Sequence, residues 1–162
     1  MGRPDGGMFS IKLAGHDYFD YPHLTDDFGG TDGRVPLMNF SREGNGPSVA
    51  ARVPVGGCSL VYLTGHQKFV SAIEYIGTTE EGQRAALAHG IQPAASKWGI
   101  FLPIRHLARI DLDSAPTPHD IEERTGIRFK ANSFTIKYIS AGEYKAIYDA
   151  IPWQWTLGEK GQ

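Results

Sequence analysis

From Val35 onward the apolar positions recur with regular periods. The stretch 35-VPLMNF-40 reads as a first core strand, and the Gly, Asn, Pro and Ser of 41-SREGNGPS-48 predict a loop after it. In 58-CSLVYLTGHQKFVSAIEYIG-77, Ser59, Val61 and Leu63 share one face while Leu60, Tyr62 and Thr64 share the other. Phe69, Ser71, Ile73 and Tyr75 then alternate with Val70, Ala72, Glu74 and Ile76. That spacing predicts a β-hairpin closed by the polar loop Gly65-His66-Gln67-Lys68.

Helix signals follow. Thr78 with Glu81 makes a capping box ahead of GQRAALAH, and Gly90 ends the run. The segment 98-WGIFLPI-104 reads as a strand leading to a second short one, 107-LARIDL-112. Thr117 caps a short helix with Pro118 in its first turn and Gly126 as its stop. The segment 133-SFTIKYI-139 alternates as a strand. Ser140 and Glu143 then box the start of a helix whose Tyr144, Ile147, Tyr148 and Ile151 follow the helical period. Local strand connections interleaved with helices predict an α+β fold, a small, curved, barrel-like mixed sheet with peripheral helices.

The chain has 162 residues, a length that suits one domain. Residues 1–34 read as an acidic, glycine-rich extension, 35–151 as the domain, and 152–162 as a C-terminal tail. Deleting residues 1–33 is expected to leave a cooperatively folding protein, because the regular pattern starts near Val35. Residues 1–33 hold two basic residues, Arg3 and Lys12, against six aspartates, a net of −4. The whole chain is at −2, so the remainder is at +2. A slightly basic body permits contact with a polyanion without forming a strong electrostatic footprint.

The N-terminus has no apolar stretch of the secretory type, and no apolar run reaches membrane-spanning length, so a cytoplasmic location and no membrane partner are expected. Cys58 is the single cysteine, which excludes an internal disulfide and a cysteine-rich zinc site.

Catalytic signatures are missing. There is no G-x-S-x-G elbow, no H-E-x-x-H and no phosphate-binding P-loop; 44-GNGPSV-49 carries Val49 where a dinucleotide loop needs its last glycine. The best metal candidate is 16-HDYFDYPH-23 with Asp26 and Asp27, but its spacing matches no compact ligand set, and a solvated acidic arm accounts for it better. No cofactor is expected. His89, His106 and His119 sit beside helix ends or short strands, where surface or capping roles suffice. What stands out is aromatic: Tyr62, Trp98, Tyr138, Trp153 and Trp155 are more rings than polar strand ends usually carry. Core packing accounts for each ring singly; a ligand pocket accounts for the rings and their polar neighbours together.

The segments 37-LMNFS-41, 55-VGGCSLVYLTGHQKFVSAIEYIG-77, 98-WGIFLPIRHL-107 and 134-FTIKYISAGEYKAIYDAI-151, in that order, resemble the PUA-like superfamily, and within it the EVE domain and its relative the YTH domain. The resemblance covers about residues 35–151. It implies a module that takes a modified base, methylated or hydroxymethylated and flipped from its stack, into an aromatic cage. On this resemblance Tyr62, Trp98 and Tyr138 line the cage. Asn39 and Ser41 read the base edge, and Arg42, Arg52, Lys68, Arg105 and Lys137 hold the flanking phosphates.

The implied partner is nucleic acid, DNA favoured over RNA, with a nuclease or other effector of a modification-dependent restriction system beside it. A reader of modified RNA is the nearest alternative. From another class, the related ASCH group includes hydrolases, for which Lys137, Glu74 or Asp111 are acid or base candidates. An interaction module docking through Trp153 and Trp155 is the third.

Overall fold

The computed structural model describes residues 3–15, 18, 35–95, 97–130 and 135–160. The metal candidate (His16, His23, Asp26, Asp27), Gly29, Gly30, Gly33 and the segment 17-DYFDYPHL-24 apart from Tyr18 lie outside the described residues. Seven strands are described: β1 (Phe9–Ala14), β2 (Leu37–Phe40), β3 (Cys58–Leu63), β4 (Lys68–Tyr75), β5 (Ile100–Arg109), β6 (Ile136–Tyr138) and β7 (Trp155–Thr156). The helices are α1 (Gly46–Ala51), α2 (Thr79–Ala88), α3 (Pro118–Thr125), α4 (Ala141–Ala150) and the short α5 (Leu157–Lys160). The class is α+β with mixed strand pairing, as expected.

The chain packs as two compact units, neither continuous in sequence. One comprises Met1–His16, Cys58–Ile73 and His106–Gln162; the other comprises Asp17–Gly57 and Glu74–Arg105. A pass along the sequence expects one domain, because a division that cuts through β4 and β5 leaves no linker and no shift in composition.

In the first unit β1 is the element that the sequence reading missed. It runs parallel to β3, with Ser10 opposite Ser59 and Lys12 opposite Val61, and antiparallel to β6, with Ser10 opposite Tyr138 and Lys12 opposite Ile136. Ile11 is fully buried in it. The stretch read as an acidic, glycine-rich extension thus contains a strand at residues 9–14. Phe9, Ile11 and Leu13 do alternate with Ser10, Lys12 and Ala14, but glycine-rich, charged flanks disguise a six-residue strand. The tail contributes the short strand β7, which pairs with β5, Thr156 opposite Ala108 and Trp155 opposite Arg109.

The hairpin forms as expected, with its tip one residue earlier, at positions 64–67. Gln67 adopts a φ of 57° and donates its N–H to the Leu63 carbonyl. Behind it Tyr62, Phe69 and Phe129 meet as a cluster of tilted rings with centroids 4.8–5.3 Å apart. The helix starts also follow the sequence. Reciprocal capping boxes stand at Thr78/Glu81, Thr117/Asp120 and Ser140/Glu143, and Gly126 ends α3 with a φ of 78°. Hydrogen bonds from Thr78 hold the Glu81 carboxyl below the usual carboxylate range, and those from Thr117 do the same for Asp120.

In the second unit β2 lies antiparallel to β5, with Asn39 opposite Phe101 and Phe40 opposite Ile100. The two short strands expected over 98–112 form the single strand β5, because His106 is buried and the ladder continues past the polar pair Arg105–His106. The expected loop 41–48 gives way to α1 at Gly46, with Pro47 in the first turn, where its missing N–H has no intrahelical partner to lose.

Helix α2 is pinned to β5 by Gln83. Its side-chain oxygen accepts from Phe101 N–H at 2.9 Å and its amide donates to the Gly99 carbonyl at 2.7 Å. Leu37, Ala86 and Phe101 close the core beneath it.

That seat leaves no room at Gly82, where an added Cβ would lie 2.0 Å from the Phe101 carbonyl oxygen. Gly82→Ala should therefore push α2 off the strand and destabilise the protein by about 1–3 kcal/mol, despite alanine's better helix propensity. Urea unfolding of the variant checks this, and an unchanged or raised midpoint would show that the helix can shift without loss.

Candidate functional site

Of the residues singled out for a pocket, Asn39, Ser41 and Trp98 fall in the second unit, the first two on and just after β2 and the third just before β5. Asn39 is half-buried on β2, opposite Phe101. Where β2 ends, Ser41 Oγ accepts from the Glu43 N–H at 3.0 Å and turns the chain outward. The Arg42 N–H donates to the Lys97 carbonyl at 2.8 Å, and Arg42 Nη1 donates to the Pro93 carbonyl at 3.3 Å. These bonds lock the turn after β2 onto the segment that enters β5. A Cβ at Gly46 would meet the Ser41 carbonyl oxygen at 1.8 Å, so glycine is what lets α1 start against this turn.

Trp98 stands on the entering segment with 49% of its surface exposed. Lys97 Nζ lies 5.6 Å from the centre of its ring, within cation–π reach. One edge of the unit thus offers an aromatic face, a cation over it, an amide on β2, and the Arg42 guanidinium on the turn that the Lys97 carbonyl anchors. Lys97 is the member that sequence reading missed, although its place next to Trp98 was visible.

Of the phosphate candidates in this unit, Arg52 is exposed just past α1. Arg105 is exposed too and forms an ion pair with Glu74, one of the acid–base candidates, so its charge is partly compensated. Such an exposed pair is worth little in stability.

The other candidates belong to the first unit. Tyr62 is a buried member of the Tyr62–Phe69–Phe129 ring cluster, and burial pushes its phenol pKa up. Tyr138 is half-buried with the Arg3 guanidinium 4.4 Å from its ring centre. Lys68 donates to the Leu112 carbonyl at 3.2 Å, and Lys137 projects into solvent from β6. The Asp111 N–H donates to Gln154 Oε1 at 2.7 Å.

Trp153 packs on Tyr148 at 5.3 Å and donates its indole N–H to the Tyr148 carbonyl, while Trp155 is held in β7. The two tryptophans of the tail are thus engaged within the fold rather than displayed as a strip. Among the described residues no group of three His, Cys, Asp or Glu gathers as a metal-ligand set, and no helix is long and apolar enough to cross a membrane.

No protein-family model matches this chain, and no curated protein matches it in sequence. Solved structures do. Rpa0253 from Rhodopseudomonas palustris aligns with a TM-score of 0.57 at 10% sequence identity, over 89% of this chain and 92% of that one. A hypothetical protein from Leishmania major gives a TM-score of 0.57 at 17% identity, over 88% of this chain and 92% of that one. Protein Atu2648 from Agrobacterium tumefaciens gives 0.51 at 10% identity, over 88% and 92%. At such identities the likeness is one of fold alone. The fold class is the α+β one expected, with mixed strand pairing.

Proposed function

We propose that the chain is a nucleic-acid-binding module of the EVE type that reads a modified base, methylated or hydroxymethylated, with DNA the favoured ligand. The observation that carries the reading is the half-exposed Trp98 ring, with Lys97 over it and Asn39 opposite Phe101 on the adjoining strand pair. A large indole left half in water at a strand entrance gives up burial energy that a core position would return. A flat, polarizable ligand recovers it. A base stacked on Trp98 would present its edge to Asn39, which both donates and accepts, and to the Ser41 hydroxyl. Arg42 and Arg52 would hold the flanking phosphates, positioning the strand without reading it. A chain of net charge −2, with only a slightly basic body beyond residue 33, depends on this pocket, and on an effector such as a nuclease, for its specificity.

Trp98→Ala tests the reading. Affinity for an oligonucleotide carrying one modified base should fall by about 1–3 kcal/mol, the worth of one base–aromatic stack. Residual salt-sensitive binding to the unmodified strand should persist, because phosphate contacts supply it. Folding should be nearly unaffected, in contrast to the roughly 3–5 kcal/mol lost when a core tryptophan is truncated. Fluorescence anisotropy on matched modified and unmodified strands, with a urea melt of the variant, measures all three. Equal affinity of the wild-type protein for both strands would end the modified-base reading, and undiminished binding by the variant would remove Trp98 from the site.

A further inference from the structure

Among the described residues the first unit buries five polar or charged ones, Ser10, Lys12, Ser59, Ser71 and His106. Three of them are neighbours by register. Side chains alternate along a strand, so Ser10 and Lys12 project to the same face of β1. The residues paired with Ser10 project to that face too: Ser59 on β3 and Tyr138 on β6. The Ser10 and Ser59 hydroxyls are 2.5 Å apart. The Tyr138 hydroxyl is buried with no hydrogen-bond partner among the described residues. Lys12 is 3% exposed, and its Nζ donates to the Leu13 carbonyl at 2.7 Å. One sheet face therefore gathers an amine, two hydroxyls and a phenol. An ordinary core would place apolar side chains here, since a buried lysine and a buried hydroxyl without a partner each cost stability.

We propose that Lys12, Ser10, Ser59 and Tyr138 form a binding site for a small carbonyl compound, an aldehyde or ketone, with Lys12 Nζ as the nucleophile that condenses with it. Desolvation lowers the Lys12 pKa from 10.5 to about 7, so the amine carries a free lone pair for much of the time at neutral pH. That lone pair attacks the carbonyl carbon while the carbonyl oxygen takes a proton. The resulting carbinolamine then loses water to leave a C=N bond to Lys12, with no net oxidation or reduction. The Tyr138 and serine hydroxyls suit the oxygen, which needs donors as charge builds on it. The site lies within the first unit and is independent of the Trp98 reading in the second.

The test is competitive reductive alkylation of the intact protein at neutral pH with acetaldehyde and cyanoborohydride, followed by peptide mass mapping. Acetaldehyde is the probe because Lys12 is so little exposed. At neutral pH a lysine with a pKa of about 7 holds about a thousand-fold more free amine than an ordinary one. Lys12 should therefore be alkylated at least ten-fold faster than the exposed Lys137 and Lys145. Tyr138→Phe and Ser59→Ala should each slow the Lys12 reaction and leave the Lys137 rate unchanged. Alkylation of Lys12 no faster than of Lys137, or only in urea, would overturn the proposal. Unchanged Lys12 rates in both variants would overturn the four-residue site.

Discussion

Removal of residues 1–15 is expected to abolish cooperative folding, contrary to what the start of the regular pattern near Val35 suggests. These residues carry β1, which pairs with β3 across six register positions and with β6 across three. Without it β6 has lost its ladder, and the exposed edge of β3 has lost its partner. Backbone bonds that flank the strand go as well, from the Cys58 N–H to the Met8 carbonyl, from Leu13 to Thr135 and from Ile139 to Phe9. So does the Phe9 ring, 5.0 Å from Tyr144 on α4. Each large apolar side chain withdrawn from burial costs about 1.5–3 kcal/mol, and each buried backbone group left unpaired about 1–3 kcal/mol. Several of each exceed the roughly 5–15 kcal/mol that holds a typical domain together. Urea melts followed by circular dichroism should show a sharp transition for the full chain and none for the truncated one. A truncated protein with an unchanged midpoint would make β1 an accessory strand. Ile11→Ala is a milder form of the same test, with a loss of about 2–5 kcal/mol expected for a fully buried isoleucine.

Lys12→Met should make the protein more stable at neutral pH, and the advantage should vanish in alkaline solution. The Lys12 ammonium is buried, and desolvation lowers its pKa from 10.5 to about 7. Below about pH 7 both the folded and unfolded states hold the proton, and folding bears the full cost of burying the charge. Between about 7 and 10.5 the unfolded chain binds more protons than the folded one, so stability rises with pH through that window. Above it both states are neutral and the cost is gone. The lowering corresponds to a cost on the order of 4–5 kcal/mol at its fullest. Methionine fills a similar volume without the charge. Paired urea melts from near neutrality to about pH 10 would report the difference between the two proteins, in which the other titrating groups cancel. A gap that stays constant with pH would mean that the folded protein stabilises the Lys12 ammonium as well as water does. A protein that keeps such a lysine in place of methionine accepts a standing loss of stability, and the carbonyl site gives that loss a chemical use.

The two predictions meet on one strand, and β1 is where local reading and folded structure differ most. Its alternation of Phe9, Ile11 and Leu13 with polar residues was present in the chain. A half-buried strand of that pattern normally turns its polar face to water, so nothing local marks Ser10 and Lys12 as buried. Burial of that face comes from the tertiary packing over it, which the strand's own pattern does not encode. The elements that local chemistry specifies were legible. The capping boxes at Thr78 and Ser140, the Thr117 cap, the Gly126 stop and the β3–β4 hairpin depend on residues within a few positions of one another; the caps and the stop formed where the sequence placed them, and the hairpin with its tip one residue earlier.

Trp98, Asn39 and Ser41 were identifiable as residue types suited to a base. The placement of their segments side by side was not, because it depends on the Arg42–Lys97 backbone bond and the β2–β5 register, which join positions more than fifty residues apart. The sequence by itself determined the starts of α2, α3 and α4, the turn chemistry and the α+β class, since each follows from short-range geometry and side-chain periodicity. Burial of Lys12, the assignment of Tyr62 to a ring cluster and the exposure of Trp98 were decided by the tertiary structure. Solvent exposure belongs to the packed surfaces of distant segments, and no local pattern encodes it.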